Sequence, residues 1–201
     1  MIGSRSLTDW VNLVAGEDRA AVLQWRFKAL ADDAALSGAK ELRAATREAG
    51  VLLVINDRPD IARIVKADGV HVGQEDLDPA EARTLLPGGL VGVSTHREDQ
   101  FESARASPAD YIAVGPVFVT ASKANPDPVV GLPFVSWAAS RTRRPVVAIG
   151  GLTTQNAGDV VRAGALGVAV ISELLMAERP EAAARSLCAV IRHARNNIER
   201  P

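Results

Sequence analysis

The sequence is short of cysteine, of aromatic rings and of any imbalance of charge, and each shortage excludes something. Cys188 is the one cysteine in 201 residues, so neither an intrachain disulfide nor a cysteine-rich metal site can form within the chain. It lies on an apolar helical stripe, where a buried bystander is expected rather than a nucleophile. Aromatic residues make up 4% of the chain against 47% hydrophobic residues in all, so aliphatic side chains and alanine must fill the core. That composition suits parallel strands covered by helices better than an all-β fold. Lys and Arg number 23 against 24 Asp and Glu, a formal net charge of −1. No field of one sign is available to hold nucleic acid or an anionic membrane, so any anion must be bound locally. No apolar stretch approaches membrane-spanning length, and the opening residues, with Asp9, Glu17 and Asp18 soon after Arg5, do not resemble a signal peptide. A cytoplasmic protein is expected, and nothing in the composition decides for or against a homo-oligomer.

What is present is a rhythm. Short apolar runs recur at residues 20–24, 51–55, 69–72, 90–93, 111–114, 146–149 and 167–171. Between them lie helical stripes, such as Ala31, Ala35, Leu42, Ala45 and Ala49, or Ala183, Leu187, Val190, Ile191 and Ala194. Alternating strands and helices imply parallel strands with right-handed crossovers, and eight such units close into an α/β (β/α)8 TIM barrel. The length suits a single domain over residues 1–201, with no linker, charge block or low-complexity segment to divide it. The first strand has to come from residues 4–8, so the first β/α unit is expected to be irregular. Asp78-Pro79-Ala80-Glu81 reads as a helix start with an N-cap carboxylate, a first-turn proline and a capping-box glutamate, and Thr95-His96-Arg97-Glu98 repeats the pattern.

Catalytic groups of such barrels stand at the C-terminal ends of the strands, and here those ends are polar. Gln24-Trp25-Arg26-Phe27-Lys28 puts Gln24, Arg26 and Lys28 on one face of an extended chain, two cations fit for a polyanion. Asn56-Asp57-Arg58 and Gln74-Glu75-Asp76-Leu77 end neighbouring strands. Asp57 and Asp76 either share a hard cation such as Mg2+, completed by water and phosphate oxygens, or simply cap helices. Ser94 is expected just before a helix N-terminus, where an anion is favoured, and His96 in the first turn is a weaker acid–base candidate. A long segment after residues 111–114 carries Thr120, Ser122 and Lys123, and reads as a loop able to close over a substrate. Gly150-Gly151 and Ile171-Ser172 follow the last two strands, where many barrels bind phosphate, and a helix starting at Thr153-Thr154 would add its dipole.

Taken in order, these segments resemble the thiamine phosphate synthase family from about Leu23 onward. The matching runs are Gln24-x-Arg26-x-Lys28, Ile55-Asn56-Asp57-Arg58, the stretch 69–77, Gly92-Val93-Ser94-Thr95-His96, Gly115-Pro116-Val117-Phe118 with Thr120-x-Ser122-Lys123, and Ala148-Ile149-Gly150-Gly151 with Ile171-Ser172. The resemblance implies a Mg2+-dependent transferase whose substrates are a pyrimidine pyrophosphate and a thiazole phosphate. It assigns Gln24, Arg26, Lys28, Asn56, Ser94 and Lys123 to the pyrimidine pyrophosphate, with Arg26, Lys28, Ser94 and Lys123 as the catalytic set. Trp25 and Phe27 lie in the same run and either narrow the pyrimidine pocket or pack against the next helix. Asp57 and Asp76 are implied as Mg2+ ligands, and Thr120, Ala121, Ser122, Gly151, Ile171 and Ser172 as the thiazole phosphate site. Two other readings remain: a thiazole tautomerase, whose family carries histidine where this chain has Pro116, and a non-catalytic barrel that binds thiamine precursors.

Overall fold

Ser6 starts a helix where a strand is expected. The computed structural model describes residues 5–15, 22–28, 30–120 and 127–198. At its start the Ser6 hydroxyl accepts from the Asp9 N–H and the Asp9 carboxylate from the Ser6 N–H, both at 3.1 Å. This reciprocal cap nucleates α1 (Leu7–Val14), which buries Trp10 and Val11. A strand over residues 4–8 is therefore corrected: local capping and a helical apolar stripe outweigh the barrel rhythm there.

The chain then alternates as anticipated: β1 (Val22–Trp25), α2 (Asp32–Ala49), β2 (Leu52–Asn56), α3 (Pro59–Val65), β3 (Gly69–Val72), α4 (Pro79–Leu85), β4 (Leu90–Thr95), α5 (Glu98–Ala106), β5 (Tyr111–Val114), α6 (Gly131–Arg141), β6 (Val146–Ile149), α7 (Ala157–Arg162), β7 (Gly167–Ala169), α8 (Ser172–Leu175) and α9 (Pro180–Ile198). The seven strands among the described residues follow sheet order β1 to β7. The runs 69–72, 111–114 and 146–149 coincide with β3, β5 and β6. β4 runs on through Ser94 and Thr95 because the Thr95 hydroxyl donates to the Ala113 carbonyl at 3.0 Å, so a polar side chain is satisfied inside the sheet. That bond also removes Thr95 as a helix cap: α5 begins three residues later, behind Arg97, which makes no side-chain cap. β7 stops at Ala169 rather than at residue 171.

Two compact units divide the chain, Met1–Val93 and Ser94–Pro201. In the first, β1 pairs with β2, β2 with β3 and β3 with β4, all parallel. Leu53, Val54, Ile55, Val70 and Val72 are fully buried, each side chain contributing roughly 1.5–3 kcal/mol. The α2 stripe buries Ala35, Ala39, Leu42 and Ala45. Arg43 on α2 meets Asp68 at 2.7 Å, and the same carboxylate oxygen accepts from the Leu53 N–H at 2.8 Å, tying α2 to the foot of β2. In the second unit β5 pairs with β6 and β6 with β7, again parallel. Ile112, Val114, Val135, Ala148 and Val160 are buried there. Phe134 stacks on Trp137, and Phe101 meets both edge-on. α9 packs on α7 and buries Leu187 and Ala194 of the expected stripe. Cys188 beside them is half-buried, not enclosed.

Candidate active site

In the first unit the polar groups collect where β1, β2 and β3 end. β1 stops at Trp25, so Arg26 and Phe27 continue as irregular chain and Lys28 sits in a turn. Gln24, Arg26 and Lys28 are exposed, while Trp25 turns the other way. Its indole N–H donates to the Ala35 carbonyl at 3.3 Å and its ring covers Gly38, where a Cβ would lie 2.8 Å away. Phe27 follows it with ring centroids 5.9 Å apart. Of the two roles open to Trp25, packing on the next helix is the one its contacts fit.

Asn56, the last residue of β2, is buried, and the chain turns sharply after it. The Arg58 N–H donates to the Asn56 carbonyl at 2.9 Å, closing a three-residue turn around Asp57, whose φ is +63°. The Asp57 N–H donates across to the His71 carbonyl of β3 at 2.7 Å. α3 is N-capped by Arg58 without a side-chain hydrogen bond, so Asp57 caps no helix. Asp76 accepts from the Gly73 N–H at 2.8 Å, and α4 takes its cap from Asp78 and Glu81 as the sequence indicates.

Burial, then the hydrogen bond and the charge of Asp76, push the Asp57 carboxyl up to about 6, against the pull of Lys28. The Lys28 ammonium is 3.5 Å from the Asp57 carboxylate. Neighbouring carboxylates of this kind favour a cation beside them. Their hard oxygens fit Mg2+ with water and phosphate oxygens filling the remaining positions. No cluster of three or more His, Cys, Asp or Glu residues occurs among the described residues, so protein ligands alone would not complete such a shell. Burial also pushes buried His71 down to about 4, against the charge of Asp76. A cavity of about 470 Å3 lined by Arg43, Arg63, Lys66 and Asp68 opens at the opposite ends of β3 and β4 and takes no part in this group.

In the second unit Ser94 lies within β4, half-buried, and not directly before a helix, since α5 starts at Glu98. His96 follows the strand rather than sitting in the helix. Its Nδ1 meets the Gly115 carbonyl and its Nε2 lies 3.5 Å from Asp127. Thr120 is half-buried, whereas Ala121, Ser122 and Lys123 lie outside the described residues.

Gly150 and Gly151 have φ of +95° and +64°. A Cβ on Gly151 would sit 2.8 Å from Phe118 Cβ and closer still to the Val119 carbonyl. Only glycine allows this approach. Asn156 holds the turn: its Nδ2 donates to the Gly151 carbonyl at 3.0 Å and its Oδ1 accepts from the Thr153 N–H at 2.8 Å. The Thr154 N–H donates to Glu173 on α8 at 2.9 Å. α7 itself starts at Ala157, past the threonines where its start is expected, and the turn between them leads into it, with the Gln155 N–H donating to the Thr153 hydroxyl at 3.2 Å and the Ala157 N–H to the Thr153 carbonyl at 2.9 Å. Ile171 caps the short α8 and Ser172 opens it, both exposed.

Sequence pattern marks Arg58 only as a motif neighbour and marks neither Asn156 nor Glu173. Arg58-x-Asp60 spacing was the available signal for the first, because it allows a bidentate pair at a helix start. Nothing local flagged Glu173, whose partner is 19 residues away.

A family model described as thiamine monophosphate synthase matches residues 2–174. The thiamine-phosphate synthase of Chloroflexus aurantiacus is 44% identical over 172 residues, 86% of this chain and 80% of that one. That of Chlorobium luteolum is 48% identical over 150 residues, 74% of this chain and 71% of that one. Among solved structures, the thiamine phosphate pyrophosphorylase from Pyrococcus furiosus superposes with a TM-score of 0.85 at 31% identity, covering 95% of this chain and 91% of that one.

Proposed function

The chain belongs to the thiamine monophosphate synthase family, and from that premise we propose that it joins a hydroxymethylpyrimidine pyrophosphate to a thiazole phosphate. The bond from the pyrimidine methylene carbon to the pyrophosphate oxygen breaks, and its electron pair leaves with pyrophosphate. The electron-rich aminopyrimidine spreads the positive charge over its ring. The thiazole nitrogen then forms the new C–N bond, giving thiamine phosphate, with carbon dioxide lost where the thiazole carries a carboxylate. No nucleophile or strong base from the protein is required, so catalysis is positioning and electrostatics.

In the first unit Gln24, Arg26, Lys28 and Asn56 would take the pyrimidine pyrophosphate, with Phe27 beside them. Exposed Arg26 and Lys28 can reach phosphate oxygens, and their charge matters most as the leaving group gains its own. Asp57 and Asp76 would hold Mg2+, which supplies further charge neutralisation to the departing oxygens when bound. In the second unit Ser94 and Lys123 would contact the pyrimidine substrate. Thr120, Ala121, Ser122, Ile171, Ser172 and the Gly151 backbone would take the thiazole phosphate. A single TIM-like α/β domain over residues 1–201 is part of this reading, supported by the family likeness.

The observation that carries the metal assignment is the half-buried Asp57 carboxylate, 3.5 Å from the Lys28 ammonium, whose pKa burial and neighbouring Asp76 raise. Asp76→Ala is expected to abolish Mg2+-dependent turnover while circular dichroism stays that of the wild type. Full activity of Asp76→Ala in excess EDTA would remove the metal from the account.

A further inference from the structure

We propose that Arg58 is the positioning residue of the metal carboxylate, acting through the backbone to hold Asp57 in a left-handed turn that brings its side chain to Asp76. The inference rests on the reading that Asp57 and Asp76 hold a divalent cation.

Asp57 is not glycine, yet its φ is +63°. Two backbone bonds define its place: its own N–H to the His71 carbonyl at 2.7 Å, and the Arg58 N–H to the Asn56 carbonyl at 2.9 Å. The first belongs to the strand edge and would survive many turn shapes. The second exists only while Arg58 stays where it is, and strained turns persist where surrounding structure over-determines them. The α3 cap does not supply that constraint, because it uses no side chain.

The Arg58 guanidinium does. Nε and Nη2 donate to the two oxygens of Asp60 at 2.8 and 2.6 Å, and Nη1 donates to Asp32 at 2.6 Å. Asp60 lies in the first turn of α3 and Asp32 opens α2, both places where the helix dipole favours a carboxylate. A planar fork thus joins two helix starts and fixes the residue between them and Asp57. Lysine carries the charge but cannot reproduce the fork. The Arg58 guanidinium is taken up by Asp60 and Asp32, so what it gives Asp57 is position through the backbone.

The test is Mn2+ binding by the substrate-free full chain, read from loss of the free Mn2+ electron paramagnetic resonance signal. Wild type is compared with Asp57→Asn, Arg58→Ala, Arg58→Lys and Asp60→Asn, with melting temperature measured alongside. Asp57→Asn should lose binding. Arg58→Ala and Arg58→Lys should both weaken it about tenfold or more, the range seen when groups supporting a metal ligand are removed. Should Arg58→Ala fail to fold, Asp60→Asn removes only the bidentate half and is expected to weaken binding in the same direction. Wild-type binding by folded Arg58 or Asp60 variants, with binding lost in Asp57→Asn, overturns the positioning role. Rescue by Arg58→Lys also overturns it, since charge would then suffice. Wild-type binding by Asp57→Asn overturns the metal reading itself, and the inference falls with it.

Discussion

Substituting Gly151 with alanine separates backbone strain from the seating of a phosphate. At φ +64° an added side chain meets the left-handed penalty, about 1–2 kcal/mol for an L residue. The new methyl would also lie 2.8 Å from Phe118 Cβ and inside contact distance of the Val119 carbonyl, an overpacking cost of about 1–3 kcal/mol. Together about 2–5 kcal/mol should lower the melting temperature by roughly 5–15 °C in a chain of this size. Gly88→Ala is the matched control. Its φ is +78° and a Cβ there meets nothing within 4 Å, so it carries the conformational cost alone and should melt only a few degrees lower, about 2–6 °C. In kinetics, Gly151→Ala should raise the KM for thiazole phosphate about tenfold or more, as expected when a backbone N–H is held away from an anion, and leave the KM for the pyrimidine substrate unchanged. Equal melting temperatures for the two variants would refute the packing argument. An unchanged thiazole phosphate KM in folded Gly151→Ala would refute the phosphate assignment.

Acid should expose two opposing titrations. His71, pushed down to about 4, is protonated more readily unfolded, so its contribution to stability is lost as pH falls from about 6.5 toward 4. Asp57, pushed up to about 6, binds its proton more readily folded, so it gains stability as pH falls over nearly the same window. The two oppose each other, so urea midpoints of the metal-free wild type should change less between about pH 7 and 4 than those of variants lacking either group. Asp57→Asn should then become less stable on acidification and His71→Gln more stable; parallel profiles for the two variants would contradict both assignments. Lys123→Ala should lower kcat by a factor worth about 2–4 kcal/mol with little change in either KM, if its charge meets the departing pyrophosphate. Single-turnover rates equal to wild type would remove it from the catalytic set.

The strands were legible wherever β-branched and aliphatic residues ran together, as at 69–72, 111–114 and 146–149, because nothing local competes with burial there. Legibility failed where side-chain hydrogen bonds decide the outcome. Ser6 and Asp9 wrote a capping box into a segment judged only by its weak apolar content. Thr95 looked like a helix cap but finds its partner on β5, far away in sequence. Asn156 closes a turn at Thr153 through its side chain, so α7 begins at Ala157, past the threonines that suggest its start. For the candidate site, the order of polar strand ends points to Asp57 and Asp76, and burial together with neighbouring Asp76 raises the pKa of the Asp57 carboxyl. What pattern could not express was the backbone of Asp57. A positive φ at an aspartate leaves no periodic trace, and the Arg58 fork that accompanies it reaches a carboxylate 26 residues away.

Product formation by the purified chain given both substrates and Mg2+ tests the central claim most directly. The account predicts thiamine phosphate and pyrophosphate appearing in equal amounts, only when pyrimidine pyrophosphate and thiazole phosphate are both present, and stopping on addition of EDTA. Absence of thiamine phosphate under these conditions, or its undiminished formation in EDTA, would contradict it.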